Sequence, residues 1–193
     1  MSIKENWVQA FPQSCAEDVQ VVTRLLPRRW FRPTISGTIE IAYWQETLIL
    51  PSRMYFDEVT EEKIHTLSQS QRWLLYCMYT RHHDGYVREK YVRLLEDEQA
   101  TADWVLLYLL ELTGEYVKEI LQRIEPIVHN WPEVRLRSFV EGEGHEVYLE
   151  RIEQRIISYW NAYYRETNEQ RKDSTYVGFR ILYFLRTGMS LTL

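Results

Sequence analysis

Glycine and proline are scarce, 7 and 6 in a chain of 193 residues. So few turn formers exclude a sandwich of many tight turns and argue against a disordered chain. Cysteine is nearly missing. Cys15 and Cys77 are too few and too far apart for a disulfide framework or a metal site. Cys77 stands in the run Trp73-Leu74-Leu75-Tyr76-Cys77-Met78, where a buried, inert thiol is expected. Long apolar runs are lacking too. The longest, Trp104 to Leu110, falls far short of a membrane span. No apolar segment follows a basic start, so no signal peptide is expected. A reducing cytoplasm is the expected compartment, with no membrane partner. There is no phosphate-binding glycine loop, no G-x-S-x-G elbow and no H-E-x-x-H. The expectation is therefore a non-enzyme, with no catalytic residue, metal or cofactor.

What the chain does have is apolar and aromatic mass. Hydrophobic residues make up 45%, and there are 7 Trp and 14 Tyr. That suffices for a sizeable core, with some rings left to reach the surface, where Tyr and Trp favour interfaces. The formal charge is −5. Residues 1–56 carry 6 Lys/Arg against 5 Asp/Glu, and residues 57–193 carry 17 against 23. The acidic excess lies in the second part and repels phosphate backbones, so nucleic acid is a disfavoured partner.

The first 59 residues read as a segment apart. A helix is expected from Glu17 to Leu26, stopped by Pro27. Gly37 to Trp44 alternates and is β-branched, and Leu48-Ile49-Leu50 resumes after Gln45-Glu46-Thr47, which predicts a small hairpin. Two strands alone are marginal in water and must lie on something else.

Residues 60–193 read as a helical domain, either separate or fused with the first part into one. Thr60, Ser70 and Asp84 are the expected caps of helices over 61–68, to Arg81 and over Gly85–Glu96. A helix over Ala102–Thr113 follows Thr101 and stops at Gly114. Others are expected over Glu115–His129, from Pro132 to Gly142, over His145–Thr167 and over Ser174–Arg186. Val117, Ile120, Leu121, Ile124 and Val128 make one apolar face. Tyr148, Ile152, Ile156, Tyr159 and Tyr163 make another.

The chain also repeats itself at a spacing of thirty. Tyr86-Val87-Arg88-Glu89 is echoed by Tyr116-Val117-Lys118-Glu119, and Arg93-Leu94 by Arg123-Ile124. Upstream, Trp73-Leu74-Leu75-Tyr76 is echoed by Trp104-Val105-Leu106-Leu107-Tyr108 with a one-residue slip. A third copy has drifted: Leu149-Glu150-Arg151-Ile152 resembles Leu121-Gln122-Arg123-Ile124. Each copy is an apolar helix, a turn and an amphipathic helix. Such pairs bury both faces only by stacking, so the expected fold is mainly α, a short α-solenoid of antiparallel helix pairs.

The run Asp84-Gly85-Tyr86-Val87-Arg88 resembles the Asp-x-x-Val-Arg signature of HEAT-like repeats, over about Ser70 to Ile124 and on toward Arg165. The second copy has Gly114 and Lys118 where the first has Asp84 and Arg88. The resemblance implies a scaffold for protein partners, with the Arg reaching toward a neighbouring turn.

Three clusters can carry chemistry. In Arg81-His82-His83-Asp84, His and Asp can bind metal or exchange protons. The simpler reading is a turn in which Asp84 caps the next helix; a partner contact through His82, His83 and Tyr86 is the functional one. Arg28, Arg29, Trp30, Phe31 and Arg32 interleave base and ring, a pattern for phosphate contact and stacking; the plainer reading is a docked linker. Tyr159 to Tyr164 place rings on several helix sides, so Trp160, Tyr163 and Tyr164 are divided between core and partner contact. The leading expectation is a non-enzymatic scaffold, of accessory or immunity type, that binds a protein partner, a basic one by charge. The alternative is nucleic-acid binding through Arg28–Arg32.

Overall fold

A computed structural model describes residues 7–27, 35–115, 117–166 and 176–188. The chain is mainly helical, with nine α-helices and a two-stranded antiparallel sheet among these residues. It divides into two compact units, Met1–Ala100 and Thr101–Leu193.

The first unit opens with α1 (Ala16–Leu25), which buries Val19, Val22 and Thr23 and packs on α3. The expected hairpin forms from β1 (Ser36–Tyr43) and β2 (Glu46–Arg53). Its register sets Ile41 opposite Leu48 and Ile39 opposite Leu50. Ile41, Tyr43, Leu48 and Leu50 are buried, as alternation requires. A pair of strands this short needs outside support, and β2 receives it. Ile49 N–H donates to the Gln9 carbonyl at 2.8 Å. Met54 forms a parallel bridge with His82.

A short α2 (Glu61–Ile64) leads to the pair α3 (Gln69–Tyr79) and α4 (Gly85–Asp97). The cap of α3 is Ser68, not Ser70. Ser68 Oγ accepts from the Gln71 N–H at 3.3 Å, and Gln71 Oε1 accepts from the Ser68 N–H at 3.1 Å. Three residues after Ser70 stands Trp73, which has no acceptor to return the bond. Asp84 caps α4 as expected, its Oδ1 accepting from Tyr86 N–H at 2.9 Å. Because the turn after α3 anchors the hairpin, residues 7–59 share one unit with α3 and α4, and that unit runs to Ala100.

The second unit holds α5 (Asp103–Thr113), α6 (Lys118–His129), α7 (Glu133–Val140), α8 (His145–Tyr159) and α9 (Val177–Thr187). Every residue of α5 from Trp104 to Thr113 is buried, as in a central helix. α6 and α8 pack on it, and α9 packs on α6, α7 and α8. α6 starts at Lys118 rather than Glu115, which is buried and donates its N–H to Leu112 O at 3.1 Å. Gly114 ends α5 with φ −81, so left-handed freedom is not its purpose. A Cβ there would stand 2.9 Å from Arg155 Nε. Glycine gives Arg155 room to reach the fully buried Glu111 at 2.7 Å, with Arg151 on the other oxygen at 2.8 Å. A buried carboxylate is tolerable only with such partners.

Candidate functional site

The turn after α3 is a latch. Arg81 is buried, and its guanidinium donates to Pro51 O at 3.1 Å and Ser52 O at 2.8 Å. His82 is buried with both ring nitrogens engaged: Nε2 meets Phe56 O at 2.8 Å, and Nδ1 accepts from Asp84 N–H at 3.1 Å. That pattern requires the neutral ring with its proton on Nε2. Burial holds the His82 pKa below the ordinary value, with the Phe56 bond opposing. Tyr79 extends the latch, donating to Asp57 O at 2.7 Å and accepting from Val59 N–H at 2.9 Å. Arg88 donates to His82 O at 2.8 Å and His83 O at 2.9 Å. The arginine of the Asp-x-x-Val-Arg run thus closes the turn before its own helix.

Of the residues expected to meet a partner here, His82 is committed to this network. His83 is exposed and stacks on Tyr55 with ring centroids 4.8 Å apart. Tyr86 is 85% exposed at the start of α4. Arg28, Arg29, Trp30 and Arg32 lie outside the described residues.

In the second unit α8 carries the more telling surface. Tyr148, Leu149, Ile152 and Ile156 face inward. The opposite face presents Glu146, Val147, Glu150, Gln154 and Ile157. Val147 is 71% and Ile157 40% exposed. Just before and along it, Glu141, Glu143, Glu146 and Glu150 are all exposed, and the segment 141–150 contains no Lys or Arg.

The helix was expected to run to Thr167 on one apolar stripe. It instead passes at Trp160–Tyr164 into a π-helical turn, closed by Arg165 N–H on Trp160 O at 2.9 Å. A π-turn holds one residue more than an α-turn, so the stripe shifts by one position. Trp160 and Tyr164 become the inward rings. Trp160 meets Phe179 edge-on at 5.7 Å, and Tyr164 meets Tyr176 at 5.1 Å. Tyr163, the last member of the expected stripe, is turned out to 56% exposure and stacks on Tyr159 at 6.1 Å. Gly178 permits the close approach of α9 there, because a Cβ would meet Ile156 Cγ2 and Tyr176 Cε1 at 2.9 Å.

Val147 and Ile157 were missed by sequence reasoning. Their signal was present: both are apolar and out of phase with the inward stripe of α8. Among the described residues, no group of three or more His, Cys, Asp or Glu side chains gathers as a metal site would. No described helix is long and apolar enough to cross a membrane. Comparison with family models, curated proteins and solved structures finds no match to this chain.

Proposed function

We propose that the chain is a non-enzymatic helical scaffold that binds a basic protein partner through the outer face of α8 and its π-helical end. The observation that carries this reading is Tyr163, an aromatic ring 56% exposed in a π-turn whose Trp160 and Tyr164 instead contact Phe179 and Tyr176. π-turns recur at functional sites, and exposed Tyr and Trp are the usual anchors of interfaces. Ile157 and Val147 extend the apolar contact along the same helix. Glu143, Glu146 and Glu150 add a field that speeds encounter with a cationic surface and fixes its orientation. The pairs α3–α4 and α5–α6 support the HEAT-like reading, a short α-solenoid working in the cytoplasm as an accessory or immunity-type protein.

The test is capture of partners from native lysate by the tagged chain, in parallel with Tyr163→Ala. A stoichiometric protein is expected with the wild type, held less well at high salt. Tyr163→Ala weakens its affinity by about 2 kcal/mol, the scale of an interface anchor, while stability changes by less than about 0.5 kcal/mol. Equal capture by both forms, or no stoichiometric protein at any salt, overturns the reading.

A further inference from the structure

The exposed residues of α8 fall on a line. Val147, Glu150, Gln154 and Ile157 are exposed, and Asn161, exposed in the π-turn, continues the spacing. Steps of three and four alternate along it, the spacing of the seam by which one helix packs on another. On a helix face that meets only water such a line is polar. Here it carries two apolar side chains, Val147 at 71% and Ile157 at 40% exposure. They stand about 15 Å apart along the axis.

Charge beside the line is of one sign. Glu143, Glu146 and Glu150 are exposed. The bases of α8, Arg151 and Arg155, both reach the buried Glu111, at 2.8 and 2.7 Å. Arg137 of α7 pairs with Glu133 at 3.0 Å, and Arg186 of α9 pairs with Glu153. The nearby bases are thus held by other acids. Glu143 and Glu146 stand at the start of α8, where the helix dipole favours acids. Glu150 lies beyond the first turn and gains nothing from it. Past Gln154 the line is neutral, with Ile157, Ser158 and Asn161.

We infer that the partner segment covering this face is a basic amphipathic helix laid along α8. Its apolar side chains cover Val147 and Ile157, and its Lys or Arg side chains meet Glu146 and Glu150. The inference rests on the interface reading above and adds the shape of what binds there. A helix brings its own rows of side chains at the same spacing, already ordered. A flexible basic tail would satisfy the glutamates but lose more entropy in holding both apolar contacts.

The experiment is an amide NMR titration of the full chain with a designed helical peptide of about 21 residues, three heptads. It carries Leu at the two seam positions of each heptad and Lys on the flanks. One control peptide has the same residues scrambled so that no apolar stripe forms. Another keeps the stripe with Glu in place of Lys. The patterned Lys peptide should give saturable shifts over residues 146–158. The scrambled peptide should bind about tenfold more weakly, and the Glu peptide should give no shifts. Glu150→Lys should weaken the patterned peptide about fivefold, one exposed charge contact turned to repulsion. Val147→Ala should weaken it by a similar factor. Glu17→Gln, an exposed acid of the first unit, should leave it unchanged. Absence of saturable shifts over 146–158 below about 1 mM, equal binding of the scrambled peptide, or unaltered affinity in Glu150→Lys overturns the inference. The basic-partner reading is judged separately, by Tyr163→Ala in lysate capture. A scrambled peptide that binds these residues equally well strikes the helix and leaves that reading standing.

Discussion

The helix pairs α3–α4 and α5–α6 start from matching sequence and handle polar groups in different ways. In the first pair both helices have side-chain caps, Ser68 and Asp84. Its buried charges, Arg81 and Arg88, donate to backbone carbonyls at Pro51, Ser52, His82 and His83. In the second pair neither Ala102 nor Val117 makes a side-chain cap. Of its buried charges, Glu111 and Glu115, Glu111 meets two arginines of α8. The difference follows from what each pair is packed against. A hairpin and its connecting segments leave carbonyls outside any ladder, and buried carbonyls need donors. A neighbouring helix has satisfied its own backbone, so a charge facing it must find a side-chain charge.

The largest break in this comparison is Glu111→Ala. It leaves two arginines aimed at an empty site and should cost about 3 kcal/mol. Hydrogen exchange should show α5 losing protection while α3 keeps it. Arg81→Ala should do the reverse. It frees two carbonyls of the hairpin and should cost about 2 kcal/mol, read as lost protection in β2 and α3.

Acid should attack the first pair through His82. Its folded-state pKa lies below the unfolded value, so the unfolded chain binds the extra proton. The latch contributes fully above about pH 6.5, the ordinary histidine value. That contribution declines as pH falls below it and levels off below the folded value. Thermal midpoints from pH 7 to 5 should drop in the wild type and change less in His82→Gln.

The smallest effect separates the caps. Ser68→Ala should cost about 1 kcal/mol, and Ser70→Ala less than about 0.5 kcal/mol. Equal costs in urea unfolding would return the cap to Ser70.

Helix positions, the hairpin and the Asp84 cap were legible because each rests on local signals: period, β-branching and a capping side chain. The cap at Ser68 was legible in hindsight through Gln71, the partner that completes the box. Tyr163 was not. Its phase along α8 is ordinary, and only the π-turn, set by the packing of Trp160 and Tyr164 on α9, moves it outward. The meeting of α6 and α9 was not legible either. The rings of His129 and Phe184 are in contact across a long stretch of chain, and no local pattern announces that two helix ends will meet.

By itself the sequence determined that this chain is mainly helical and that a small two-stranded hairpin precedes most of its helices. Hydrophobic period and turn chemistry act over a few residues, so they can be read in order along the chain. Only the tertiary structure decided which polar residues are spent on the fold and which stay exposed. His82 is committed to the latch and Tyr163 is left at the surface. Burial and hydrogen bonding depend on what arrives from elsewhere in the chain, and for these two residues that came from Phe56 and from α9.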